Sequence, residues 1–158
     1  MNENIQHTVE GIKPEDTVKN ILFEEENKNE NDKIFDKQLE ELLEILKNKS
    51  NAPDKYSLES WKLNYGKFFV SSIVSNDIYI WRTLNRMEHK QIVSQHTDSM
   101  GQDVFENKII KKCLLWPSPT NDFIASTDAG IIPTLYKQIM YQSGFVDDNY
   151  AVSMIRRI

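Results

Sequence analysis

Apolar residues are thinly scattered through the first fifth of the chain and then return in ordered patterns. Residues 24–33, EEENKNENDK, contain no apolar side chain, and asparagine disfavours helix and strand alike. A stretch of this kind cannot offset its own ordering entropy, so residues 1–32 are expected to form a disordered acidic tail. One island interrupts it: Val18, Ile21, Leu22 and Phe23. It reads either as a chance cluster or as a segment that orders in a partner's groove through i, i+3, i+4 anchors.

From residue 33 the pattern becomes helical. Phe35, Leu39, Leu42, Leu43 and Leu46 fall on one helical face, predicting a helix over 33–48 with Asp32 as its N-cap. Residues 48–57, NKSNAPDKYS, read as a loop broken by Pro53. The period then shortens. Residues 68–74 and 78–82 are rich in β-branched and aromatic side chains, and Ser75, Asn76 and Asp77 between them supply turn chemistry. The pattern predicts a β-hairpin near 67–82. In its second strand Ile78 and Ile80 share a face with Arg82, and Tyr79 and Trp81 share the other. A strand apolar on both faces is covered on both sides, by its own helices or by another molecule.

A helix is expected straight after it. With Asn85 at the N-cap, Glu88 stands at N3, the spacing of a capping box. Thr83 is the other cap candidate, and Met87 and Ile92 would face inward. A third helix, capped by Asp103, would bury Val104, Phe105, Ile109, Ile110, Cys113 and Leu114 and stop at Trp116-Pro117. Residues 118–131 read as a long loop. A fourth helix starts near Pro133, carries Leu135, Ile139 and Met140 inward with Ile132 just before it, and ends at Gly144 and Phe145. The last stretch, DDNYAVSMIRRI, reads as a terminal helix or arm. The fold class is therefore α+β: a small, mainly helical domain over 33–158 with one β-hairpin, preceded by the tail.

Composition narrows the function. The 158 residues carry a formal net charge of −5, which argues against non-specific binding of nucleic acid or an anionic membrane. No apolar run approaches the roughly 20 residues that span a bilayer, and no secretory leader pattern opens the chain. With one cysteine, Cys113, neither an intramolecular disulfide nor a cysteine zinc site can form, which suits a reducing compartment. Cys113 reads as a small core residue.

Candidate chemistry is sparse. His89 and His96, with Glu88 and Asp98 nearby, are seven apart rather than the four of HExxH, and read as solvated polar side chains. No G-x-S-x-G elbow and no glycine-rich phosphate loop occurs. No catalytic, metal or cofactor-binding residue is assigned. Lys108, Lys111 and Lys112 near Trp116 read as a solvated helix face rather than a nucleic-acid patch. Arg82 and Arg86 flank the strand-to-helix turn. They serve either ion pairs, with Glu88 or with the tail's acids, or an interface anchored by Trp81 and Arg82, types enriched in binding hot spots.

Three pieces in order carry a resemblance: IWRTLNRMEHKQI, then IIKKCLLWPSP, then AGIIPTLYKQIMYQSGF. Over about residues 67–146 the chain resembles small proteins of tailed bacteriophages described as tail assembly or tail/baseplate morphogenesis proteins. Thr83 stands where that family usually has proline, which loosens the turn. The resemblance implies a non-enzymatic, chaperone-like or minor tail component that binds other tail or baseplate proteins in the host cytoplasm during assembly, in multiple copies if it joins a particle. The expected partner surface is Trp81, Arg82 and Arg86 with Ile132, Leu135, Tyr136, Ile139 and Phe145. The alternatives are a structural subunit retained in the virion and a nucleic-acid-binding regulatory module.

Overall fold

The computed structural model describes residues 29–147, with six helices and a three-stranded antiparallel sheet among them, an α+β arrangement. The Val18–Phe23 island and residues 148–158 lie outside the described residues. The chain divides into two compact units, Met1–Ile45 and Leu46–Ile158.

Helix α1, Glu30–Leu46, starts earlier than expected: Asn29, not Asp32, supplies the cap, its Oδ1 accepting from the Asp32 amide at 3.0 Å. Asp32 instead lies in the first turn, where its charge suits the helix dipole. Leu39, Leu42 and Leu46 are buried along the expected stripe.

The second unit begins with a helix that the hydrophobic pattern hides, α2, Lys55–Tyr65. Asp54 caps it by accepting from the Ser57 amide at 2.8 Å, and only Leu58 on it is buried. With one inward residue over eleven positions, no helical stripe exists to be read. Gly66 ends it at φ +74°, a conformation glycine adopts without strain.

The hairpin is present but shorter than predicted. Strand β1, Phe69–Ser71, pairs antiparallel with β2, Tyr79–Trp81, in the register Phe69↔Trp81, Val70↔Ile80 and Ser71↔Tyr79. The turn falls at the predicted site: Asn76 takes φ +68°, and the Asp77 amide donates to the Val74 carbonyl at 3.0 Å. All three β2 residues are buried, because β2 is the central strand and both its faces are covered.

Helix α3, Arg86–Ser94, follows, then α4, Gln102–Cys113, whose N-cap is Gly101 rather than Asp103. Asp103 lies inside the first turn. The chain then departs from the expected helix. Leu114–Trp116 form strand β3, which adds to the far edge of β2 with Ile80↔Trp116 and Trp81↔Leu114 and an irregularity between them. The Arg82 amide continues that edge by donating to the Cys113 carbonyl at 3.0 Å. A cis Trp116-Pro117 bond follows.

Within the expected long loop lies α5, Asn121–Ser126, capped by Thr120. Helix α6, Ile131–Gln142, includes Ile132, which had been expected just before its start. It ends as predicted. The Gly144 amide donates to the Tyr141 carbonyl and the Phe145 amide to the Met140 carbonyl, both at 3.0 Å, with Gly144 at φ +92°. These are the paired bonds of a Schellman motif. The main core joins Tyr79, Trp81 and Leu84 to Ile92, to Ile109, Ile110 and Cys113 of α4, and to Ile131, Leu135 and Ile139 of α6.

Candidate functional site

The site to be tested is the junction from β2 into α3, where the sequence concentrates Trp81, Arg82 and Arg86. Trp81 is only 3% exposed. It stacks on Phe69 with ring centroids 4.7 Å apart, and its Nε1–H donates to Ser71 Oγ at 2.7 Å. Ser71 Oγ in turn donates to Gln138 Oε1 at 2.6 Å, tying β2 through β1 to α6. The indole is a core group with its one donor satisfied.

Arg82 is buried too, at 8% exposure, and a guanidinium inside a protein requires partners for its charge and its donors. Glu88 supplies the charge. Arg82 Nη1 donates to Glu88 Oε2 at 2.9 Å and Nη2 to Oε1 at 2.8 Å, a bidentate pair. The same two nitrogens donate to the Thr83 and Lys112 carbonyls at 3.1 and 2.9 Å. The Tyr65 ring lies against the guanidinium, 4.7 Å from its centroid. Arg82 Nε is buried without a hydrogen-bond partner.

Glu88 has a second task. It stands at N3 of α3, and its Oε2 accepts from the Asn85 amide at 3.1 Å while Asn85 Oδ1 accepts from the Glu88 amide at 2.9 Å. The predicted capping box is therefore complete, and the carboxylate that closes it also neutralises Arg82. The hydrogen bond from Arg82 holds the Glu88 carboxyl below the usual carboxylate range, and the same bond raises the guanidinium above its ordinary value. Burial pushes the neighbouring Cys113 thiol up to about 12.

The expected partner surface is thus corrected at five of its eight positions. Trp81, Arg82, Ile132, Leu135 and Ile139 are buried. The β-strand pattern of apolar residues on both faces could not say what covers them, and the covering is the domain's own core. Tyr136 is half-buried, packed edge-on to Phe105 at 6.3 Å. Arg86 and Phe145 do reach the surface, Phe145 with 45% of its area exposed.

Around those two lies a patch that sequence reasoning missed in part. Arg86, His89 and Val93 recur at i, i+3 and i+7 on one face of α3. The Phe145 ring, held beyond the α6 cap, sits 4.7 Å from the His89 ring. Val93 is half exposed and Met87, in the first turn of α3, is largely exposed. Leu84 joins the two elements, its amide donating to Ser143 Oγ at 2.9 Å. The helical spacing of Arg86, His89 and Val93 was legible; that Phe145 would come to lie on His89 was not, because the contact spans more than fifty residues of chain.

The remaining candidates have plain structural surroundings. His89 and His96 both meet Phe105 with their rings, at 6.3 and 5.3 Å, and His96 Nδ1 is buried without a hydrogen-bond partner. Lys108 donates to the Gln95 carbonyl, Lys111 to Asn121 Oδ1, and Lys112 lies 3.9 Å from Glu88. Among the described residues no group of three or more His, Cys, Asp or Glu is arranged to hold a metal ion. Nor, among them, is any helix long and apolar enough to cross a membrane. Compared with protein-family models, with curated proteins and with solved structures, the chain shows no match.

Proposed function

We propose that the protein acts by binding other proteins, without making or breaking covalent bonds, and that it does so in bacteriophage tail assembly as a chaperone-like or minor tail component. The place in tail assembly rests on the resemblance of residues 67–146. The binding surface rests on one structural observation: the exposed Phe145 ring packs on the half-buried His89 of α3, whose exposed Arg86 and Val93 stand three residues before and four after it, and the backbone is fixed at both ends.

The fixing matters to the energetics. The capping box and the Arg82–Glu88 pair hold the start of α3, and the Schellman motif holds Phe145. A patch that is already ordered loses little conformational entropy on binding, so more of its contact energy appears as affinity. Arginine is also a residue type enriched in interface hot spots. Arg86 suits an acidic group on the partner, and Phe145 with Val93 suits an apolar neighbour to it.

Affinity capture of the tagged chain from infected or co-expressing cells tests this reading. Wild-type protein is expected to retain one or more tail or baseplate proteins, and the Arg86→Glu/Phe145→Ala variant to lose them while melting cooperatively. Retention of the same partners by a folded variant overturns the assignment of this surface.

A further inference from the structure

The chain leaves α6 beside this same surface. Phe145, fixed by the Schellman bonds, rests its ring on His89 in the middle of α3. Val93, one helical turn further along α3, and Phe145 itself both leave large apolar area in water. Three residues after Phe145 begins DNYAVSMIRRI, residues 148–158. Tyr150, Val152, Met154, Ile155 and Ile158 make this stretch rich in large apolar side chains, with Ala151, Ile155 and Ile158 at the i, i+4, i+7 spacing of a one-sided segment. Such side chains lose free energy in water and gain it on an apolar surface.

Reach and charge favour the surface next to them. Val93 lies about 6 Å along the helix axis from His89. The eight residues from Asp147 to Ile155 span about 26–29 Å extended and about 12 Å as a helix, so either conformation brings Ile155 to Val93. Arg86 is exposed and has no ion-pair partner among the described residues. Asp148 supplies the opposite charge close to Phe145. A tethered segment also acts at an effective concentration of about millimolar, which favours the same molecule over a second copy.

We infer that residues 148–158 fold back over α3 of their own molecule, laying Ile155 and Ile158 on Val93 and Phe145 and Asp148 against Arg86, so that a partner protein reaches this surface only by displacing them. The displacement rests on the reading of the surface as the binding site; the covering does not.

Amide NMR of the isotope-labelled full chain tests the covering. Ile155→Ser/Ile158→Ser should shift the amides of residues 86–94 and 144–146 relative to wild type, and the wild-type spectrum should not change on dilution. Val93→Ser alters a half-exposed side chain, which spares the core, and should reciprocally shift the amides of residues 150–158. Absence of the reciprocal shifts overturns the covering even if the double variant fails to fold. Wild-type signals that move towards those of the double variant on dilution assign the cover to a second copy and overturn it as well. In affinity capture, the double variant should retain its partner at about threefold lower concentration, because the competing cover is gone. Equal retention by wild type and folded variant overturns the displacement. No partner with either, while the NMR shifts are present, overturns the reading of the binding surface and leaves the covering standing.

Discussion

Replacing Arg82 by methionine isolates the interaction on which the β2–α3 junction depends. The substitution keeps an unbranched apolar stem and removes four hydrogen bonds, two to Glu88 and one each to the Thr83 and Lys112 carbonyls. Removing one member of a buried ion pair costs about 3–5 kcal/mol, because the other charge is left uncompensated. Glu88 keeps 17% side-chain exposure, the Asn85 amide and a distant Lys112, which place the expected loss at the lower end, about 3 kcal/mol. In urea this moves the midpoint down by about 1–3 M at unchanged slope, and thermally it lowers Tm by about 6–12 °C. Arg82→Lys keeps the charge but cannot span both carboxylate oxygens and two carbonyls, and is expected to lose about 2 kcal/mol. Glu88→Gln retains an acceptor for the Asn85 amide, so a double-mutant cycle with Arg82→Met should give a coupling of about 2 kcal/mol. The pH dependence has a definite sign. Because the folded carboxyl lies below its ordinary value, the unfolded chain takes up its proton first as pH falls. The stabilisation is present at neutral pH and is lost as pH drops through the ordinary carboxylate range to the folded value, and Glu88→Gln should flatten that part of the profile. Arg82→Met within about 0.5 kcal/mol of wild type, or strict additivity in the cycle, would refute the reasoning.

Three further outcomes can be checked on purified protein. Gly144→Ala meets no neighbouring atom within 4 Å but forces a side chain into φ +92°, so it should cost about 1–3 kcal/mol in urea unfolding through backbone strain alone. Asn85→Ala removes the N-cap oxygen of α3 and should cost about 1 kcal/mol by the same assay. Cys113 is fully buried with its thiol pushed up to about 12, so Ellman's reagent at pH 8 should find no reactive thiol until denaturant is added.

What could be read from the chain was what is encoded locally. The Asn85–Glu88 box, the Gly144–Phe145 helix end and the turn around Asn76 each depend on residue types a few positions apart, and each is present as read. Features that depend on distant packing were hidden. Leu114-Leu115-Trp116 continues the apolar face of α4, so nothing local marks the switch to β3; the switch is stabilised by pairing with Ile80 and Trp81 more than thirty residues away. Helix α5 has six residues and no inward stripe, and α2 buries only Leu58. The site was misread for the same reason. Trp81 and Arg82 have the composition of an interface, and only tertiary structure shows the indole satisfied by Ser71 and the guanidinium charge paired with Glu88.

Hydrogen–deuterium exchange of the full chain, alone and with a captured partner protein, tests the central claim most directly. If the chain works by presenting the Arg86–Phe145 patch, slowed exchange should appear across residues 86–93 and 144–146. Slowed exchange confined to other segments would contradict the account.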